Sequence, residues 1–97
     1  MLRRAPKPPD TCEHLTAAVG AQEPDPVTPG QCQDCAELGE SRWAHLRMCL
    51  SCGHVGCCDS SFHKHATAHF HATGHPVMRS AEPGETWRWC YVDVLLG

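Results

Sequence analysis

Isoleucine is absent from the 97 residues, and the large rings are few: two Phe, three Trp and one Tyr. A chain this short, and this poor in large apolar residues, reads as one small domain whose core alone is marginally stable. Domains of that kind usually add disulfides or metal ions. Long apolar runs are missing too: nothing approaches the roughly 18 consecutive apolar residues of a membrane-spanning helix. The start, Met1-Leu2-Arg3-Arg4-Ala5-Pro6, leads into no apolar stretch, so no secretory leader is expected. Basic charge is also short. Eight Lys and Arg stand against eleven Asp and Glu, for a net charge of −3, and they form no stripe. A nucleic-acid partner, which needs a basic face, is therefore not expected.

What the chain does have is eight Cys and eight His. The cysteines fall in metal-ligand spacing and interleave with histidines, which a disulfide framework does not require. Reduced thiolates holding zinc point to a cytoplasmic protein. Residues 1–10 carry three Pro and three basic residues and read as a disordered tail, leaving a domain over residues 11–97. Leu15 to Val19 suggests a short helical turn ended by Gly20. Residues 20–31, with three Pro and two Gly, read as an extended loop. Strands are expected over Trp43–Met48, Val55–Cys57, Val77–Arg79 and Trp87–Val94. One main helix is expected over about residues 61–73, with Ser60 or Ser61 as N-cap and Gly74 as its stop. The expected fold is a small α+β domain stapled by zinc, with a short antiparallel sheet, that helix and the N-terminal turn.

The metal-ligating pattern is dense. Cys32-x-x-Cys35 and Cys49-x-x-Cys52 are two knuckles. Cys12-x-His14 precedes them, and His65-x3-His69-x5-His75 follows. On a helix, His65 and His69 project from one face. Zinc takes four such ligands tetrahedrally. Spacing alone does not distribute the ligands. Cys12-x-His14, the two knuckles, Cys57, the histidine run ending in His75-Pro76, and Trp89-Cys90 together resemble the UBP-type zinc finger. That is a ubiquitin-binding module, and the likeness is greatest to compact stand-alone bacterial members. The resemblance covers about residues 11–94 and implies interleaved sites. One zinc would take Cys32, Cys35, Cys57 and His65, and a second Cys49, Cys52, His69 and His75. A third would take Cys12, His14 and Cys90, with a fourth ligand three residues after Cys90. Family members often have Cys there; this chain has Asp93, read either as the carboxylate ligand or as an exposed strand-end acid. The count is thus two or three zinc ions. The x4 spacing from Cys52 favours Cys57 over its neighbour Cys58, which then reads as a small buried residue. His45, His54, His63 and His71 read as non-ligands.

Zinc explains folding rather than activity. The resemblance implies a module that binds the free C-terminus of a protein, ubiquitin's Gly-Gly tail being the type ligand, with Trp89 and Tyr91 where the family places pocket aromatics. The departures concern the carboxylate grip. Ubiquitin-binding members carry Gly-Arg-Tyr after the position of Cys57; here Cys58-Asp59-Ser60-Ser61 follows. Arg47 replaces a family Trp and offers a guanidinium from the opposite wall, with Trp43 as a replacement aromatic. A helix starting at Ser60 and Ser61 would add free N–H groups. The expected ligand groove is therefore Arg47, Ser60, Ser61, Trp89 and Tyr91, and the expected ligand a peptide or protein C-terminus, ubiquitin doubtful among them. An enzyme is not expected, since no Glu stands in the H-E-x-x-H context of a zinc hydrolase; the lesser alternative is a zinc hydrolase using the third site, which keeps an open position if Asp93 does not ligate. The competing reading is a structural or regulatory zinc module, monomeric, docking on a larger partner.

Overall fold

The computed structural model describes residues 12–97. The expected tail over residues 1–10 lies outside the described residues. The elements run α1 (Glu13–Gly20), α2 (Gln33–Glu37), β1 (Leu46–Cys49), β2 (Val55–Cys57), α3 (His65–Thr73), β3 (Val77–Ser80), β4 (Arg88–Cys90) and β5 (Leu95–Leu96). The strands form one antiparallel sheet in the order β2-β1-β3-β4-β5.

Paired residues of an antiparallel sheet point to the same side. The register therefore divides the sheet cleanly. One face carries Leu46, Met48, Val55, Cys57, Val77, Cys90 and Leu95. These pack in two buried groups, the first with Cys32 and Cys35, the second with Cys12 and Leu15. The proline-rich loop crosses this face as well, where Glu23 pairs with Arg79 at 2.7 Å and Arg88 at 3.3 Å. The other face carries Arg47, Cys49, Gly56, Met78, Trp89 and Leu96. Helix α3 covers its β1–β2 end. That approach depends on Gly56: a Cβ there would stand 2.6 Å from the backbone nitrogen of Ala66.

Cysteine sulfurs start the short helices. Cys12 Sγ accepts from the Leu15 N–H at 3.2 Å, and Cys32 Sγ from the Cys35 N–H at 3.4 Å. Each thus fills the role of an oxygen N-cap. Helix α3 follows the same rule, which corrects the serine expectation. It begins at His65, its N-cap is Lys64 at φ 52°, and the His65 N–H donates to Cys57 Sγ at 3.2 Å. Ser61 is buried below the loop, its hydroxyl oxygen accepting from the Ala44 N–H at 2.9 Å. The need to seat His65 beside Cys57 outweighs a serine's capping preference.

Two strand expectations shift. The first strand begins at Leu46 rather than Trp43, and Trp43 packs against the core group around Cys32 and Cys35. The last run does not continue to Val94. The Asp93 N–H donates to Cys90 Sγ at 3.4 Å, the chain turns through residues 91–94, and Leu95–Leu96 returns as β5. Alternation of side chains cannot foresee a turn made by a sulfur acceptor. Cys32-x-x-Cys35, expected as a bare knuckle, continues into α2.

Candidate functional site

Three groups of potential metal ligands assemble on this frame: Cys32, Cys35, Cys57 with His65; Cys49, Cys52, His69 with His75; and Cys12, His14, Cys90 with Asp93. Within each group the donor atoms all lie within 4.8 Å of one another. Each group joins segments distant in sequence, so the staples run between elements.

The spacings suit a tetrahedral ion. Zinc bonds of about 2.3 Å to sulfur and 2.0–2.1 Å to nitrogen imply edges of roughly 3.5–3.8 Å. In the first group His65 Nδ1 lies 3.3 Å from Cys32 Sγ, 3.3 Å from Cys35 Sγ and 3.6 Å from Cys57 Sγ. Cys35 and Cys57 sulfurs are 4.0 Å apart. In the second, Cys49 Sγ is 3.4 Å from His75 Nδ1, and Cys52 Sγ 3.3 Å from His69 Nε2. In the third, Asp93 Oδ2 lies 2.9 Å from His14 Nδ1 and 3.6 Å from Cys90 Sγ. Asp93 thus turns back toward the cysteines instead of pointing away as a strand-end acid. The sulfur in the first group is that of Cys57; Cys58 is buried and in no group.

Burial shapes the titration of several of these side chains. Burial pushes the Cys35 thiol up to about 12, and burial also raises Cys32, Cys49 and Cys90. Thiolates so enclosed need a nearby positive charge, and a divalent ion supplies it while displacing the protons. Burial, then His54 and His75, lower the pKa of His69, which favours the neutral, metal-ligating imidazole. A hydrogen bond from His14 holds the Asp93 carboxyl below its ordinary range, so it stands ionised and able to ligate.

A groove of about 410 Å³ opens where α3 leaves the sheet uncovered. It gathers four of the five expected ligand-groove residues: Arg47, Ser60, Trp89 and Tyr91. Ser61 is the exception, turned inward to Ala44. The expected helix N-terminus is also absent from this place, since α3 starts later at His65. Three features were not foreseen. Trp87 joins the wall, with the Arg47 guanidinium 4.5 Å from its ring centroid; the i, i+2, i+4 spacing of Trp87, Trp89 and Tyr91 was the available signal. Thr67 also lines the groove and donates to Asp59 Oδ1 at 2.6 Å, which fixes the carboxylate that follows Cys58 in the chain. Tyr91 stacks on Phe70 with centroids 4.7 Å apart, which fixes its ring plane. Burial raises the Tyr91 pKa and Asp59 adds to it, while Thr67 and Arg47 oppose, so the phenol stays protonated and able to donate.

The family described as "Zn-finger in ubiquitin-hydrolases and other protein" matches residues 32–94. Cys12 and His14 precede that span. A protein from Rhodopseudomonas palustris, solved by solution NMR, is similar at 50% sequence identity with a TM-score of 0.76, over 89% of this chain and 79% of that one. Among the described residues no helix is long and apolar enough to cross a membrane. By the match over most of its length, the chain belongs to the UBP-type family of Zn-fingers found in ubiquitin-hydrolases and other proteins.

Proposed function

We propose that this chain is a three-zinc binding module whose groove recognises the free C-terminus of a peptide or protein. Cys32, Cys35, Cys57 and His65 hold one ion, Cys49, Cys52, His69 and His75 a second, and Cys12, His14, Cys90 and Asp93 a third. The ions supply folding free energy, since each replaces a buried contact set that the small core lacks. In this reading seven of the eight cysteines hold zinc as thiolates, and thiolate ligands must stay reduced, which supports a reducing compartment such as the cytoplasm.

The observation that carries the ligand reading is Arg47. Its guanidinium lies against Trp87 in a groove walled by Trp89 and Tyr91. A cation presented between aromatic walls is the arrangement that receives a terminal carboxylate behind a narrow, unbranched tail. Asp59 in the same groove disfavours a second negative charge and separates this module from relatives that grip ubiquitin with an additional Arg. Ubiquitin binding is accordingly weak or absent in this reading, and a different C-terminus is the partner. The protein acts as a monomeric binding module rather than an enzyme.

An NMR titration tests this with a peptide ending in Gly-Gly, free or amidated. Shifts at Trp89 and Tyr91 with the free acid that vanish on amidation are expected. Arg47→Ala should weaken the free acid by roughly tenfold to a hundredfold, one charge-assisted hydrogen bond being worth about 1.5–3 kcal/mol. Equal shifts with both peptides would mean a generic groove. No shifts with either, nor with full-length ubiquitin, would leave a structural zinc module that docks by another surface.

A further inference from the structure

Two histidines outside the three groups stand ring-on-ring against two histidines inside them. His54 stacks on His69 with centroids 4.1 Å apart and planes 4° from parallel. His63 stacks on His65 at 5.0 Å and 15°. Each outer ring is in turn held by a carboxylate: His54 Nε2 lies 2.7 Å from Asp34 Oδ2, and His63 Nε2 lies 2.5 Å from Glu40 Oε2. Both carboxylates come from one short segment. Asp34 sits in α2 between Cys32 and Cys35, and the Glu40 N–H just beyond α2 donates to the Cys35 carbonyl at 2.8 Å.

We propose that His54 and His63 are positioning residues for the metal ligands His69 and His65, and that Asp34 couples the first metal group to the second through His54. The inference rests on the zinc reading above. The torsion that sets an imidazole's ring plane is broad, so the backbone leaves a ligand ring free to swing. A parallel neighbour removes that freedom. A neighbour whose N–H donates to a carboxylate is also fixed in one tautomer and enriched in electron density, which favours contact with a ring drained by a cation. The coupling follows from place: Asp34 belongs to the knuckle of the first group, while His69 is a ligand of the second. The two devices differ in weight. The His54 and Asp34 side chains are 12% and 34% exposed, against 26% and 48% for His63 and Glu40. The first pair is less screened by water and carries the larger effect.

The test is zinc release from the loaded full chain, followed with a chromogenic chelator, with amide NMR spectra showing which group empties. His54→Ala should leave the zinc count unchanged and speed release from the Cys49–Cys52 group about tenfold, the lower end for partners that orient a metal ligand. His54→Phe, which keeps the stacked ring but not the carboxylate bond, should recover part of that loss. Asp34→Asn, a substitution in the first group's knuckle, should speed release from the second group. In cobalt-loaded protein, His54→Ala should alter the visible d–d bands, which report ligand geometry. Release unchanged in both His54→Ala and Asp34→Asn overturns the inference, as does an equal acceleration at all three groups, which is general loosening of the fold. Should His54→Ala fail to fold, the near-isosteric Asp34→Asn decides by the same criterion. A wild-type chain that holds no zinc by native mass spectrometry overturns the metal reading and this inference together; zinc retained with indifferent variants overturns the inference alone.

Discussion

At single residues, a cysteine in this chain does two jobs. Its sulfur lies in a group of potential metal ligands and also accepts the backbone N–H that starts a turn, as at Cys12, Cys32 and Cys90. The turns after two of these segments differ in a telling way. After Cys49-x-x-Cys52 comes Gly53, at φ 81° and with its N–H on the Cys49 carbonyl at 2.9 Å. After Cys90-x-x-Asp93 comes Val94, at φ 55°. The left-handed region costs glycine nothing and strains a β-branched residue by about 1–3 kcal/mol. Val94 is 64% exposed, so its side chain contributes little packing in return. Val94→Gly should therefore stabilise the fold by about 0.5–1 kcal/mol, after glycine's greater freedom in the unfolded chain is subtracted. Thermal unfolding measures it; an unchanged or lower midpoint would show that the strain is relieved in some other way.

Among the elements, the start of α3 is set by contact with β2 more than by propensity. Helix α3 begins without a side-chain cap and has little amphipathic character, yet its start is pinned by Cys57 Sγ and by the bare backbone of Gly56. Strand β2 and α3 meet at backbone distance there, with no room for a methyl group. Gly56→Ala should destabilise the protein by about 1–3 kcal/mol through displacement of α3. It should also weaken zinc retention at the groups that contain His65 and His69 more than at the group that contains His14. Denaturant unfolding together with metal counting separates these effects. A variant with wild-type stability would mean that the helix shifts freely, contrary to the close contact.

For the whole molecule, the two-faced sheet divides the labour. One face, packed on α1, α2 and the proline-rich loop, is the core; the other holds α3 over one end and leaves the groove at the other. The buried groups are rich in cysteine, and among the described residues the only fully enclosed aliphatic side chain of any size is Val55. Such a core cannot hold without its staples. Complete removal of zinc by chelator should therefore unfold the chain, seen as collapse of the dispersed amide spectrum. Zinc returned to the reduced protein should restore it. A dispersed spectrum that survives metal removal would show that packing alone suffices.

Much of this was legible from residue order. The knuckles, the histidine run, the strand Val55–Cys57 and the end of the main helix at Gly74 follow from local chemistry, because ligand spacing, side-chain alternation and a left-handed glycine are properties of neighbours in sequence. The split of ligands among three groups was not legible from spacing; it came by resemblance, and in each group the donor atoms lie within 4.8 Å of one another. Other features arise from contacts between distant segments. Ser61 turned inward because Ala44 was there to bond it, and α3 started late because His65 had to meet Cys57. Trp43, read as a replacement aromatic for the groove, packs on the core instead, and Trp87, read only as part of the last strand, walls the groove. His54 and His63 looked like bystanders, since nothing in their local sequence names Asp34 or Glu40 as a partner. The sequence alone determined that this is a small Zn-finger domain rich in Cys and His at metal-ligand spacing. The tertiary structure decided which side chains share a site, because that depends on the register of the sheet and the approach of α3, and both are set by packing across the chain.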